Sequence, residues 1–177
     1  MAAETRMTQF KRKDGSDLKT EEQLQNAAQI HANMIYRIAV NQLHSVTDAE
    51  DIVQEVLLRY YQSGIEFDAV EHEKAWIIRV TINCCKNVYR SSWWKNVLVT
   101  DEVHELSVVS GQEEKSDMKF DVLDAVSRLP FKFRVIVYLH YYEGFSVQEI
   151  SEALHKNKNT VLSHLHRARK LLKRDLT

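Results

Sequence analysis

The 177-residue chain is nearly neutral, with 24 Lys and Arg against 25 Asp and Glu, and 44% of its residues are hydrophobic. This content allows one medium domain or two small ones with modest cores. No apolar run approaches the roughly 18 residues of a membrane span, and no secretory leader is apparent, so we expect a cytoplasmic protein. Only four Gly and one Pro predict an all-α fold.

Composition and spacing argue against an enzyme or a metal protein. Cys84 and Cys85 are adjacent, which suits neither an intramolecular disulfide nor a CxxC motif, and we expect them to pack. Candidate metal ligands occur at 71–73 (EHE) and 164–166 (HLH), but adjacent or alternate helical residues point to different sides and cannot clamp one ion alone. The sequence contains neither a phosphate-binding loop motif nor a pattern of nucleophile and base, so we expect no catalytic residue, metal or cofactor.

Residues 1–19 are polar, mixed in charge and without periodicity, so we expect a mobile arm. A capping box of Thr20 and Gln23 then predicts the start of a long helix, since each side chain bonds the other residue's backbone N–H. Apolar residues at helical spacing predict that this helix ends near His44 or Ser45.

A further capping box is predicted at Thr47 and Glu50, opening a second helix. One face of this helix is apolar, whereas the other carries Asp51 and Glu55 with Leu58 among them. An acidic stripe that contains an apolar residue predicts a protein partner with a basic, partly apolar groove. A solvated helix with a stray Leu is the alternative.

The stretch at 63–72 has no clear helical pattern and leads into a helix whose distal half is chemically mixed. Amides, cations and aromatic rings alternate there. This mixture suits an opened DNA strand, because cations meet phosphates and aromatic faces stack on unpaired bases. The alternative is that the two Trp only close a core. The residues are Asn83, Lys86, Asn87, Tyr89, Arg90, Trp93, Trp94 and Lys95.

Residues 97–117 contain six Asp and Glu against the single cation Lys115 and predict a flexible acidic linker. The chain is thus divided into two small helical domains, at 20–96 and 118–177. After Pro130 a mostly buried helix is expected, with packing roles for Phe133, Val137 and Tyr141 in the core.

The carboxy-terminal part predicts a helix-turn-helix. Ser146 and Glu149 form a capping box, the polar stretch 155–159 interrupts the helix, and a second helix begins near Thr160. Its stripe from Val161 to Leu172 should pack, leaving the opposite face free to read DNA.

From residue 155 to 174 there are seven Lys and Arg and no Asp or Glu, which is a phosphate-binding footprint. A basic helix that only aids solubility is the alternative. The predicted base-edge residues are Asn159, Ser163, His166 and Arg167, the predicted phosphate contacts are Lys158, Arg169, Lys170 and Lys173, and Thr160 joins this DNA-binding set.

The stretch from Leu129 to Lys173 resembles the promoter-binding carboxy-terminal domain of bacterial RNA polymerase sigma factors of the sigma-70 family, in particular the extracytoplasmic-function (ECF) class. The resemblance extends from about residue 24 to 174. Within the helix-turn-helix, the two usual Gly and two usual cations of the family are replaced.

The resemblance implies roles in the first domain. The segment 48–62 is similar to the family's contact with the coiled coil of the polymerase beta-prime subunit, which implies polymerase binding by Asp51, Gln54, Glu55 and Leu58. The segment 74–90 is similar to the part that melts and recognises the minus-10 element, with residues 63–72 as a candidate wall for a flipped base. The implied minus-10 residues are Trp76, Arg79, Asn83, Lys86, Asn87, Tyr89 and Arg90.

These implications predict a sigma factor that binds core RNA polymerase, through its beta-prime and beta subunits, and promoter DNA at the minus-35 and minus-10 elements. An anti-sigma factor that can hold the protein at the membrane is implied as a further partner, and no small-molecule substrate is expected. The alternative is an autonomous helix-turn-helix regulator that binds a palindromic site as a dimer.

Overall fold

A computed structural model describes residues 11–12, 18–97 and 117–176, with side chains described for 18–91 and 122–176. The acidic linker, and the side chains of Trp93, Trp94 and Lys95, lie outside these ranges. The described part is helical, which confirms the predicted all-α class. Its helices are α1 (Glu21–Leu43), α2 (Val46–Gln62), α3 (Val70–Val97), α4 (Asp117–Ser127), α5 (Phe131–Tyr141), α6 (Val147–Ala153) and α7 (Lys158–Asp175).

The long helix α1 begins and ends where the sequence predicts. Thr20 Oγ1 accepts the Gln23 backbone N–H at 3.2 Å, and Gln23 Oε1 accepts that of Thr20 at 2.9 Å, which completes the capping box. The helix ends at Leu43 because His44 adopts a left-handed conformation, with φ of 54°.

The predicted capping box at Thr47 and Glu50 is wrong. Ser45 is the N-cap of α2, and its side chain accepts the backbone N–H of Asp48 at 3.2 Å. The left-handed His44 turns the chain at once, so the second helix starts directly after Ser45. The two helices therefore form a tight antiparallel hairpin.

Part of the amino-terminal arm forms secondary structure. Strand β1 (Lys11–Arg12) pairs antiparallel with β2 (Ile65–Glu66). The Lys19 N–H donates to the Tyr61 carbonyl at 2.9 Å, and the Lys19 ammonium lies 5.0 Å from the Tyr60 ring centroid. The arm is thus attached beside the end of α2.

The stretch 63–72 is partly helical, in contrast to its prediction, because α3 starts at Val70. Helices α1, α2 and α3 pack together through a core that includes Ile38, Val56 and Ile77, each fully buried. Cys84 and Cys85 are buried as free thiols, which agrees with their predicted packing role.

The second group of helices surrounds α5, which is buried from Phe133 to Leu139. Phe133 and Val137 pack as predicted, but Tyr141 is 54% exposed, so its predicted core role is wrong. Tyr141 lies at the last position of α5, where its hydroxyl accepts a hydrogen bond from Arg169 Nε at 2.7 Å.

The two groups of helices contact each other along α1 and α5 and along α3 and α6. Arg134 is only 5% exposed, and its Nη2 donates to the backbone carbonyl of Gln42 at 3.0 Å. Its Nη1 donates to the Ser127 carbonyl. A guanidinium of the second group therefore satisfies a carbonyl near the end of α1.

No helix in the described ranges combines the length and hydropathy that a bilayer-spanning helix requires. Within the same ranges, no group of three or more His, Cys, Asp or Glu residues is placed to hold a metal ion.

Candidate functional site

The outward face of α2 carries the residues that the sequence singled out for a protein partner. Asp51 and Gln54 are exposed, Glu55 is partly exposed, and Leu58 is 49% exposed. They share one face because Ile52, Val56 and Tyr60 are buried on the other. Glu55 accepts a hydrogen bond from Arg59 Nε at 2.6 Å, so the stripe is acidic with one locally paired carboxylate.

The polar centre of the first domain is Glu73, near the start of α3. Its carboxylate accepts from His31 Nε2 at 3.0 Å and from the Tyr60 hydroxyl at 3.1 Å, thereby linking α3 to α1 and α2. Burial raises the pKa of Tyr60, which keeps the phenol protonated as the donor.

Trp76 belongs to an aromatic cluster at the beginning of α3. Its ring centroid lies 6.2 Å from that of Tyr60 and 5.9 Å from that of Phe67, in edge-on geometry. Phe67 comes from the segment between β2 and α3 that was predicted to border a base pocket. The structure therefore brings Trp76 and that segment together, although Trp76 is partly buried.

The other predicted minus-10 residues mostly share one stripe of α3. Successive residues turn by about 100°, so positions 79, 83, 86, 87 and 90 fall within one arc of about 100°. From Asn83 onward these side chains are exposed, whereas Arg79 is partly buried. The stripe presents two cations and two amides to solvent, in the order Asn83, Lys86, Asn87 and Arg90.

Tyr89 and Arg79 face the second domain. The Tyr89 ring centroid lies 5.3 Å from that of Phe131, at the start of α5. Arg79 borders a cavity of about 460 Å³ between α3 and α6, together with Phe145, Glu149 and Glu152. Burial lowers the pKa of the Arg79 guanidinium. In this arrangement neither side chain is fully available to DNA.

The helix-turn-helix forms as predicted, with boundaries shifted by about two residues. Ser146 and Glu149 make the capping box of α6, with bonds of 3.2 Å and 2.8 Å. His155 adopts a φ of 50° in the turn. The second helix, α7, starts at Lys158 rather than near Thr160, because the Asn157 side chain accepts the Asn159 N–H at 2.8 Å.

The structure separates α7 into a buried stripe and a basic outward face. Val161, Leu165 and Ala168 are at most 2% exposed. Of the predicted DNA-binding residues, Thr160 is partly buried and all the others are exposed, and the Ser163 hydroxyl donates to the Thr160 carbonyl at 2.9 Å. The exposed set is Lys158, Asn159, Ser163, His166, Arg167, Arg169, Lys170 and Lys173.

In the described ranges, neither of the two candidate triplets at 71–73 and 164–166 belongs to a cluster that could hold a metal ion. His164 packs edge-on against Phe133, at 5.3 Å between ring centroids, whereas His166 is exposed on the other side of α7. Burial, with nearby Lys156, Lys132 and Arg167, lowers the pKa of His164. His164 is thus held neutral in the helix-turn-helix core.

Sequence reasoning did not select Leu162, an exposed residue of α7. Leu162 is 51% exposed on the flank of the outward face, although it is apolar. The sequence does contain a signal for Leu162: it is apolar, yet helical spacing places it outside the stripe of Val161 and Leu165.

Comparison with known proteins identifies both groups of helices. Residues 28–95 match the family model for sigma-70 region 2, and residues 119–172 match that for sigma-70 region 4.

Relatives over most of the chain are transcription factors of bacteria. RNA polymerase sigma factor SigV of Bacillus subtilis is 29% identical over 83% of this chain and 87% of its own length. ECF RNA polymerase sigma factor SigL of Mycobacterium tuberculosis is 29% identical over 81% of this chain and 82% of its own. The RNA polymerase sigma-E factor of Streptomyces avermitilis is 30% identical over 73% and 71%.

Solved structures share the fold. The sigma factor RpoE from Bartonella quintana, in complex with the anti-sigma factor NepR, aligns with a TM-score of 0.66 at 23% identity, covering 88% of this chain and 97% of RpoE. CnrH, in complex with the cytosolic domain of CnrY, aligns with a TM-score of 0.62 at 18% identity, covering 89% of each chain.

Proposed function

Since this chain belongs to the sigma-70 family of RNA polymerase sigma factors, in the ECF class, we propose that two of its helices divide promoter recognition between them. As a member of this family, the chain is an initiation factor that directs promoter-specific transcription by RNA polymerase. Factors of this family are not enzymes. In our proposal α7 reads the minus-35 element and α3 opens and reads the minus-10 element. The division into an arm (1–19), a minus-10 domain (20–96), a linker (97–117) and a minus-35 domain (118–177) is part of this proposal.

The outward face of α7 is the observation that carries the minus-35 assignment. Its opposite stripe is buried, and the stretch 155–174 contains seven Lys and Arg and no Asp or Glu, so this face is exposed and carries positive charge without an acidic side chain. Asn159, Ser163, His166 and Arg167 would meet base edges, while Lys158, Arg169, Lys170 and Lys173 would meet phosphates.

The exposed stripe of α3 supports the minus-10 assignment. Lys86 and Arg90 would bind the backbone of an opened strand, and Asn83 and Asn87 can hydrogen-bond base edges beside them. The aromatic cluster of Trp76 would then form the wall beside which a base leaves the duplex.

The outward face of α2 is the proposed polymerase contact. Asp51, Gln54 and Glu55 offer acceptors to a basic helix pair of the beta-prime subunit, and Leu58 offers an apolar contact among them. The beta subunit is a further proposed contact of the chain.

An anti-sigma factor is the other partner we propose. RpoE, which shares this fold, was solved with the anti-sigma factor NepR, and CnrH, which also shares it, was solved with the cytosolic domain of CnrY. We propose that this chain acts in the cytoplasm and is held inactive at the membrane by such a partner.

Run-off transcription tests the proposal, with purified core polymerase and DNA upstream of the chain's own coding region. Transcripts should appear only when the chain is present. The double variant D51K/E55K should abolish them and prevent co-elution with core. The matched control E21K/E22K, which reverses two exposed carboxylates on α1, should retain both.

The alternative function, an autonomous dimeric regulator, predicts a different result. It would protect a palindromic site from nuclease without polymerase, and it would neither co-elute with core nor support transcription. That outcome would overturn the sigma-factor mechanism proposed for α2.

A further inference from the structure

Leu162 is an apolar side chain on a helix face that is otherwise polar or charged. It is 51% exposed, whereas its neighbours Val161 and Leu165 are 0% and 2% exposed. The packing stripe of α7 is therefore complete without Leu162. In the isolated chain the side-chain carbons of Leu162 are exposed to water, so a contact that covers them would be favourable.

The position of Leu162 on α7 indicates which partner would cover it. With about 100° per residue, Leu162 lies about 40° around the helix from His166 and about 60° from Asn159. It also precedes His166 by four residues, so these two side chains are neighbours along the surface. A ligand that meets both His166 and Asn159 therefore also lies beside Leu162.

The charge of this face favours DNA over a protein as the occupant. Arg169, Lys158 and Lys173 lie within about 40° of Leu162 around the helix, and residues 155–174 contain no acid that would repel phosphates. In the major groove, the 5-methyl group of thymine is the apolar group among the hydrogen-bonding base edges.

We propose that Leu162 contacts the 5-methyl group of one thymine in the minus-35 element and makes that position selective for thymine. This inference rests on the proposed placement of α7 in the minus-35 major groove. Cytosine at the same position lacks the methyl group and presents an amino donor, which Leu162 would leave without an acceptor. Leu162 therefore both favours thymine and disfavours cytosine.

Replacing thymine by deoxyuridine tests this contact, since it removes the methyl group and keeps the hydrogen-bonding pattern. Full-length chain and core polymerase are first used to select active minus-35 sequences from a randomised promoter library. Each thymine of the preferred element is then replaced in turn, and run-off transcription is compared for wild type, L162A, L162M and L176A. Leu176, which is 47% exposed at the end of α7, is the matched control.

We expect deoxyuridine at one thymine to lower wild-type transcription about fourfold, the factor for one methyl group returned to water. L162M and L176A should show the same loss, whereas L162A should be insensitive at that position. The inference is overturned if wild type is insensitive at every thymine, if L162A is as sensitive as wild type, or if the preferred element has no thymine. Absence of any chain-dependent transcript would instead overturn the proposed function itself.

Discussion

Arg37 of α1 forms a two-bond ion pair with Glu143, 106 residues later in the chain. Its Nε donates to Glu143 Oε1 at 3.0 Å and its Nη2 donates to Oε2 at 2.9 Å. The Glu143 side chain is 7% exposed, whereas that of Arg37 is 48% exposed. The guanidinium thus compensates the charge of the buried carboxylate, and the ion pair links the two domains.

Reversing the charge of Arg37 should separate the domains. R37E places a second carboxylate against buried Glu143 and replaces two charge-assisted hydrogen bonds by repulsion. This change should destabilise the contact between the two domains by about 2 kcal/mol. The radius of gyration from small-angle X-ray scattering should therefore increase. R59E is the matched control, because Arg59 has similar exposure and pairs within α2. Equal scattering of R37E and wild type would contradict the prediction.

Acidification should destabilise the folded chain through protonation of His44, which lies near Arg134. Burial and the nearby Arg134 lower the pKa of His44 below its ordinary 6.5. The unfolded chain therefore binds a proton at a higher pH than the folded chain, and stability is lost as the pH falls from 6.5 through the folded pKa.

The variant H44N should lose less stability than wild type between pH 7 and pH 5 in urea unfolding. Asn tolerates the left-handed backbone of this position, so the helix end is retained. H164N, which removes the other histidine of lowered pKa, should reduce the remaining loss separately. An unchanged pH dependence in H44N would show that His44 is not the group responsible.

Two cations of α7 should differ in what they contribute to promoter choice. R167A removes a proposed base contact and should lower transcription of the preferred promoter at least about fivefold more than that of a minus-35 variant. K173A removes a proposed phosphate contact, so it should weaken all promoters alike and reduce the salt dependence of binding by about one ion. Equal losses on every sequence with both variants would reject this division.

The two thiols should report unfolding. Cys85 is fully buried, and burial raises its pKa to about 12, so the thiolate that reacts is scarce in the folded chain. Burial also raises the pKa of Cys84. A thiol reagent should therefore label neither residue in native buffer and both in urea. Rapid labelling of the native chain would indicate that α3 opens locally near Cys85.

Local patterns predicted the helices because the determinants are local. The capping boxes at Thr20 and Ser146 and the buried stripe from Val161 to Ala168 need only short-range spacing, and all are present. The start of α2 was missed because Ser45 and Thr47 both suit an N-cap, and the left-handed His44 decides between them.

Contacts between distant residues were not predictable in the same way. Arg134 lies in an aromatic and aliphatic stretch, and nothing within that stretch indicates that its partner is the Gln42 carbonyl. The pairing of β1 with β2 likewise joins a polar arm to a segment about 50 residues away. The exposed faces of α2 and α7 were predicted from helical spacing, whereas the contact of Tyr89 with Phe131 depends on how the two domains meet.

Because Arg134 is buried where the two domains meet, an isolated domain would differ in stability and surface from the same residues in the intact chain. Its guanidinium belongs to the second domain, but the Gln42 carbonyl and side chain that it bonds belong to the first. A fragment of either domain would expose one half of this arrangement to water, so its stability and surface would differ from those of the same residues in the intact chain. Binding measured with a separated domain therefore includes any contribution from the surface around Arg134 and Gln42, which the intact chain buries.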